Sequence, residues 1–569
     1  MADPCNIAAA LPAHARSTPD AVALRCPGTR DAQGMARYDI ALTYRELDVR
    51  SDAIAAGLAK RGIARGMRVV IMVRPSPEFF LLMFALFKAG MVPVLVDPGI
   101  DKRALRQCLD EAQPHAFIGI PLAHAARVVL RWARSARIRI TTGARAWASD
   151  ATLGQVERDG AGAGAQLADT QPDDVAAILF TSGSTGVPKG VVYRHRHFVA
   201  QVAMLRDAFG IETGGVDLPT FPPFALFDPA LGLTSVIPDM DATQPARADP
   251  QRLHNAIARF GVDQLFGSPA LMGVLARHGA ALPTLRRVTS AGAPVPADVV
   301  SAMRALLPGD AQFWTPYGAT ECLPVAVIEG RELHATREAT ERGAGTCVGR
   351  PVAGNDVRII AITDDAIAHW SDVKVLAAGV VGEITVAGPT ATDTYFNRDE
   401  ATRKAKIVEA LDDGTTRVVH RMGDVGYLDA SGRLWFCGRT THRVETAGGP
   451  LYTEQVEPVF NVHPQVRRTA LVGVGPRGSQ RPVLCVELEA GISKRIWPTL
   501  VQDLRAIAMG QGALHMIDTF ARHPGFPVDI RHNAKINREL LAVWARKHAR
   551  VRPTPVPVDA SSHRGPHAP

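Results

Sequence analysis

The chain has 569 residues, 46% hydrophobic and 21% charged, ordinary values for a globular protein with large cores; length alone allows roughly three or four domains. Its 64 Lys and Arg against 56 Asp and Glu give a formal charge of +8, dispersed along the sequence and so a poor footprint for nucleic acid. Seven cysteines without a C-x-x-C pair argue against a disulfide framework or structural zinc and for a reducing, cytoplasmic setting.

The N-terminus, Met1-Ala2-Asp3-Pro4-Cys5, has no basic segment followed by an apolar core, so no secretory signal is read there. Residues 1–40 read as an irregular lead-in with helical pieces. A helical period runs over 42–61, and 68–73 reads as a strand. Residues 79–96 are nearly all apolar, but Lys88, Gly90 and Pro93 divide them. Ser76 as N-cap, Pro77 at the first helical position and Gly90 just past the end predict a buried helix, followed by a strand over 92–96. A membrane span is the poorer explanation. Strand, helix, strand in this order predicts a parallel sheet covered by helices.

The segment 141–174, rich in Gly, Ala, Asp and Thr, is expected to be a surface loop. The apolar runs 175–180 and 191–193 then read as strands. Phe198, Val202, Leu205 and Phe209 recur at helical spacing up to Gly210. Strands over 265–268 and 288–290 each feed a small-residue turn. Beyond Gly382 the texture is β-rich, with a strand over 382–388 and a hairpin about Asp429-Ala430-Ser431-Gly432. A smaller unit follows, with a helix over 453–461, strands over 469–474 and 483–488, and a helix over 537–547. The tail, 553–569, reads as disordered. The expected fold is α/β: a large N-terminal domain over 1–438 with parallel αβ sheets and a β-rich part, then a small α+β domain over 439–552.

Between two predicted strands lies Thr181-Ser182-Gly183-Ser184-Thr185-Gly186-Val187-Pro188-Lys189-Gly190. Glycines let backbone approach a polyanion, and exposed N–H and O–H groups donate to phosphate oxygens. It is not a Walker A loop, because Lys189 lies between Pro188 and Gly190 instead of before Ser or Thr. Downstream, Tyr317-Gly318-Ala319-Thr320-Glu321 places a hydroxyl and a carboxylate after an expected Tyr-Gly turn. Glu321 is either solvated or, beside a triphosphate, a hard oxygen ligand for Mg²⁺. Asp424 and Arg439 end neighbouring predicted strands, where they can clasp a ribose or form a structural ion pair. Ser290-Ala291-Gly292-Ala293-Pro294 offers small residues against which a flat base can lie.

The ordered set of motifs resembles the adenylate-forming superfamily of acyl-CoA synthetases, peptide-synthetase adenylation domains and luciferases, over about residues 40–550. That resemblance implies ATP and Mg²⁺ as cofactors and a C-terminal domain that rotates between two poses. It implies that Thr181, Ser182, Gly183, Ser184, Thr185, Gly186 and Lys189 bind the triphosphate. Gly292, Ala293 and Tyr317 would frame adenine, Gly318 would belong to the same nucleotide site, Thr320 would meet the α-phosphate, Glu321 the magnesium, and Asp424 and Arg439 the ribose. Lys535, in His532-Asn533-Ala534-Lys535-Ile536, matches the mobile catalytic lysine.

Departures bear on the second half-reaction. Met422 replaces the usual threonine before Gly-Asp, Ala225 a frequent histidine, and His442 the usual acidic or lysine hinge residue. Residues 445–449 differ from the stretch that guides a coenzyme A arm. Thr315 to Glu321 and Pro527 to Ile536 are similar to the olefin β-lactone synthetases of bacterial long-chain hydrocarbon synthesis. These adenylate a long-chain β-hydroxy acid, whose own hydroxyl then displaces AMP. The resemblance implies work beside other olefin-pathway enzymes, and His195 and His442 are considered as bases for ring closure. The alternatives are a long- or medium-chain acyl-CoA ligase and a non-catalytic nucleotide-binding scaffold.

Overall fold

The computed structural model describes residues 5–97, 100–181, 188–528 and 536–549. The apolar run at 79–96 folds as the helix Pro77–Lys88 and the strand Val92–Val96. Pro77 opens the helix and Gly90, at φ 64°, turns the chain out of it. No described helix is long and apolar enough to cross a membrane. Lys88, which breaks the apolar run, is fully buried and donates to Asp48 Oδ1 at 2.5 Å and Asp52 Oδ1 at 2.7 Å. Both acids belong to the helix Tyr44–Lys60, whose Thr43/Glu46 capping box fixes its start. One ion cluster therefore ties two core helices together.

These elements cover a seven-stranded sheet. Its order is Ala151–Thr152, Ile138–Thr141, Ala116–Gly119, Arg68–Met72, Val92–Val96, Val175–Thr181 and Lys189–Arg194. All neighbours run parallel except the last pair, in which Thr181 faces Lys189.

A second, 14-stranded sheet has a parallel half built of Val22–Cys26, Thr234–Val236, Val216–Pro219, Gln264–Gly267, Arg287–Ser290 and Gln312–Ala319. Its other half is antiparallel, from Cys322–Glu329 through the long strand Thr416–Leu428 to Asp356–Ile360. In parallel sheets ligands bind beyond the carboxyl ends of the strands. Here those ends lead into Thr220, Ser268, Ala291 and Thr320.

The α/β class is as expected, with three local corrections. The lead-in contains the strands Val22–Cys26 and Ile40–Thr43, paired antiparallel, rather than only irregular and helical chain. The supposed loop at 141–174 contains the helix Leu153–Gly160, nucleated by a Thr152/Gln155 capping box and packed through Leu153 and Val156. Tyr317 and Gly318 are not a turn: they lie in the strand Gln312–Ala319, and Thr320 and Glu321 make the hairpin turn.

The chain divides into two compact units. The larger contains both sheets and residues through Thr441; the smaller comprises 341–343, 442–527 and the helix Arg538–His548. In the smaller unit Val466–Val474 pairs antiparallel with Arg481–Leu488, which pairs parallel with Thr519–Arg522. Helices Thr453–Asn461, Trp497–Met509 and Arg538–His548 bury Phe460, Leu500, Leu504 and Leu541. The buried Arg538 guanidinium donates to Glu457 at 2.5 Å and to Leu471 O at 3.1 Å.

Candidate active site

The carboxyl ends of the parallel strands and the long antiparallel strand surround a cavity of about 530 Å³ in the larger unit. Ala291, Gly292, Gly318, Thr320 and Glu321 line one part of it, and Lys189, Tyr395, His420 and Arg439 another. Gly292 adopts φ 101°, a conformation that side chains resist. Gly318 needs its bare Cα for packing. A Cβ there would meet Cys322 O and Leu323 Cδ1, each at 2.7 Å, so close packing of its own hairpin excludes a side chain.

Asp424 and Arg439 are in register on adjacent strands, with Arg439 Nη1 2.9 Å from Asp424 Oδ1. The Tyr317 hydroxyl donates to Asp424 Oδ2 at 2.6 Å. Burial and that carboxylate push the Tyr317 hydroxyl pKa well up, so it remains a donor. Asp424 is buried while Arg439 lines the cavity. A guanidinium held in one place by a buried carboxylate thus faces the open space.

Glu321 is fixed at both ends. Its carbonyl accepts from Thr392 N–H at 2.8 Å and Thr392 Oγ1 at 3.1 Å, and its carboxylate Oε1 accepts from the Tyr395 hydroxyl at 2.6 Å. The Tyr193 hydroxyl donates to the carbonyl of Thr320. Behind this turn Lys406, buried, donates to the carbonyl of Thr392 and to its Oγ1. Burial pulls the Lys406 ammonium down to about 8, against the nearby Glu321 carboxylate. Lys189 and Lys406 lie 5.0 and 5.8 Å from the centre of the Tyr395 ring, a cation–π pair on one aromatic. His420 is held neutral by burial and by the two lysines.

The structure therefore brings together Lys189, Gly292, Gly318, Thr320, Glu321 and Arg439, with Tyr317 and Asp424 supporting them. Ala293 follows Gly292 but does not line the cavity. Thr181 ends its strand opposite Lys189. Ser182, Gly183, Ser184, Thr185, Gly186 and Lys535 lie outside the described residues. His195 is buried at the start of the helix His195–Phe209, is pulled down to about 4 by desolvation, and does not line the cavity. His442 belongs to the smaller unit. Sequence reasoning missed Tyr193, Thr392, Tyr395 and Lys406, whose only signal was a hydroxyl-rich Thr392-Asp393-Thr394-Tyr395 within the β-rich region.

A polar cavity rimmed by cations at the carboxyl ends of a parallel sheet, with a carboxylate at its turn, is a nucleotide-binding arrangement. The profile of the family described as AMP-binding enzyme matches residues 11–396, and the chain belongs to that family. Among its relatives, the olefin beta-lactone synthetase of Xanthomonas campestris pv. campestris is 73% identical over 541 residues, 95% of this chain and 97% of that protein. The olefin beta-lactone synthetase of Stenotrophomonas maltophilia is 71% identical over 546 residues, 96% of this chain and 99% of that one. Solved structures agree on the fold. An amide bond synthetase from Marinactinospora thermotolerans superposes with a TM-score of 0.75 at 23% identity, covering 95% of this chain and 99% of that one. The O-succinylbenzoate coenzyme A synthetase of Bacillus subtilis, in complex with ATP and magnesium ion, gives 0.70 at 20% identity over 94% and 98%.

Proposed function

We propose that the protein is an ATP-dependent β-lactone synthetase. It joins the carboxylate of a long-chain 2-alkyl-3-hydroxy acid to AMP with loss of pyrophosphate, then closes the ring by attack of the acid's own hydroxyl with loss of AMP. The observation that carries this reading is the 73% identity over 97% of a named olefin beta-lactone synthetase. The cavity supports the first half-reaction. In this reading Lys189 takes phosphate, Gly292 the base, Thr320 the α-phosphate, and Arg439, braced by Asp424, the ribose.

Magnesium fits the donor set. One carboxylate in a site that holds a triphosphate suits an ion that takes one or two protein oxygens, and among the described residues no cluster of three His, Cys, Asp or Glu competes for it. Glu321, whose carboxylate Oε1 accepts from Tyr395, would hold the ion. When bound, the ion supplies charge neutralisation at the phosphates. Lys535 is proposed to neutralise the carboxylate as it meets the α-phosphorus, a preorganised donation whose loss typically costs roughly 10²–10³ in rate. Ring closure needs no second substrate, because nucleophile and electrophile are one molecule. Work beside other enzymes of olefin synthesis in the cytoplasm belongs to the same reading.

Incubation with ATP, Mg²⁺ and a defined β-hydroxy acid, with and without coenzyme A, tests it. Lactone detected by mass spectrometry without the thiol is the expected result. Strict dependence on coenzyme A, with a thioester product, would overturn it in favour of an acyl-CoA ligase.

A further inference from the structure

A narrow space of about 80 Å³ continues from the main cavity, and Phe224, Phe266, Ala291, Pro316 and Leu323 line both. Its walls are apolar, from Leu205, Phe209, Ile211, Phe227 and Leu231. Its end is not. Asp217, Gln264 and Arg287 stand in register across three parallel strands and all line it. In the next row, two residues along, Phe266 belongs to both spaces, so the polar row lies about 7 Å deeper.

Asp228 completes this row. It lines the same end of the arm, the Asp217 carboxyl acts on it electrostatically, and the two residues are 4% and 8% exposed. Two neighbouring buried carboxyls disfavour each other's ionisation. Burial raises both, Asp217 to about 7. Arg287 donates to Gln264 Oε1 at 2.7 Å and Gly210 O at 3.0 Å, while Asp228 Oδ2 and Arg287 Nε have no hydrogen-bond partner among the described residues. An alkyl chain meets favourable walls until it reaches this row. There each added methylene strips polar groups of water and returns no hydrogen bond.

We infer that this arm receives one alkyl branch of the acid and that Asp217, Asp228 and Arg287 form the floor that sets how long that branch can be. The inference rests on the adenylation reading above. ATP–pyrophosphate exchange with the full-length enzyme, over straight-chain and 2-alkyl-3-hydroxy acids of graded length, tests it. The wild type should lose about tenfold or more in kcat/KM per step beyond a cut-off length, the discrimination one methylene typically gives. Asp217→Val/Asp228→Leu, which makes the floor apolar, should move the cut-off to longer acids. Leu231→Phe, which narrows the arm without touching the carboxyls, should move it to shorter ones and serves if the double variant does not fold. An unchanged length profile in the folded variants would overturn the inference while leaving adenylation intact. Absence of exchange with every carboxylic acid in the wild type would overturn the adenylation reading and the inference with it.

Discussion

Asp424→Asn decides whether the Asp424–Arg439 pair is a nucleotide clasp or only a structural brace. Asparagine keeps the shape and an oxygen for the Tyr317 hydroxyl, and removes the charge 2.9 Å from Arg439 Nη1. The Asp424 side chain is 4% exposed and that of Arg439 35%, so solvent screens one partner and the full cost of orphaning a buried charge does not apply. A loss of about 2–3 kcal/mol in nucleotide binding follows, the lower part of the range for breaking such a pair. That corresponds to about a 30- to 150-fold rise in the KM for ATP. Pyrophosphate exchange measures it, with unfolding of the nucleotide-free protein as the companion experiment. A KM within about threefold of wild type, accompanied by lowered stability, would refute the clasp.

Other consequences are as direct. Tyr395→Phe removes the donor on Glu321 Oε1 and should lower kcat/KM for ATP by about 10- to 100-fold, the worth of a hydrogen bond to a charged group; steady-state kinetics at several magnesium concentrations reads it, and unaltered kinetics would mean that Thr392 alone positions Glu321. Lys88→Met leaves Asp48 and Asp52 without their cation and should cost about 3 kcal/mol in urea unfolding, the low end for a broken buried pair because both acids keep some solvent; adding Asp48→Asn and Asp52→Asn should recover part of it. His195 has a folded pKa of about 4 against 6.5, so between those values the unfolded chain binds a proton that the folded chain refuses. The stability it contributes is complete above pH 6.5 and is lost as pH falls toward 4, about 3 kcal/mol in all. His195→Phe should flatten that part of the pH–stability curve, and an identical curve would show that His195 is not its source.

What was legible in the sequence was local. The Pro77 to Gly90 helix, the strand before the glycine-hydroxyl loop and the hairpin at Asp429 announce themselves within a dozen residues. Caps, turns and periodicity act over that range. The Leu153–Gly160 helix was hidden because its composition is loop-like; besides its capping box and the buried Leu153 and Val156, it is held by distant partners such as Arg50, which pairs with Glu157. The supports of the site were hidden by distance: Tyr395 is 74 residues from Glu321, and Tyr193 is 127 from Thr320. A tyrosine gives no sign in sequence of the carbonyl or carboxylate its hydroxyl will meet.

Charge balance orients the cavity. Arg421 is paired with Glu383 at 2.6 Å, Arg439 with Asp424 at 2.9 Å, and Lys404 with Glu400 at 2.9 Å. Lys406 is buried behind Thr392 and does not line the space. Lys189 lines it and, among the described residues, makes no ion pair. Among the described residues its ammonium meets the Tyr395 ring, a contact worth far less than a carboxylate. An unpaired cation in a cavity whose other cations are neutralised is where a polyanion gains most, because no existing ion pair has to break. The strand pairing Thr181–Lys189 sets that ammonium at the foot of the glycine-hydroxyl loop. On the proposed reading the phosphate end of the nucleotide lies at Lys189, the ribose end at Arg439, and the reacting α-phosphorus between them beside Thr320. The apolar arm opens past Ala291 and Pro316, adjacent to Gly292 and Tyr317 in the chain. On the proposed reading an acid entering from that side would bring its carboxylate to the phosphorus with its alkyl branch already in the arm.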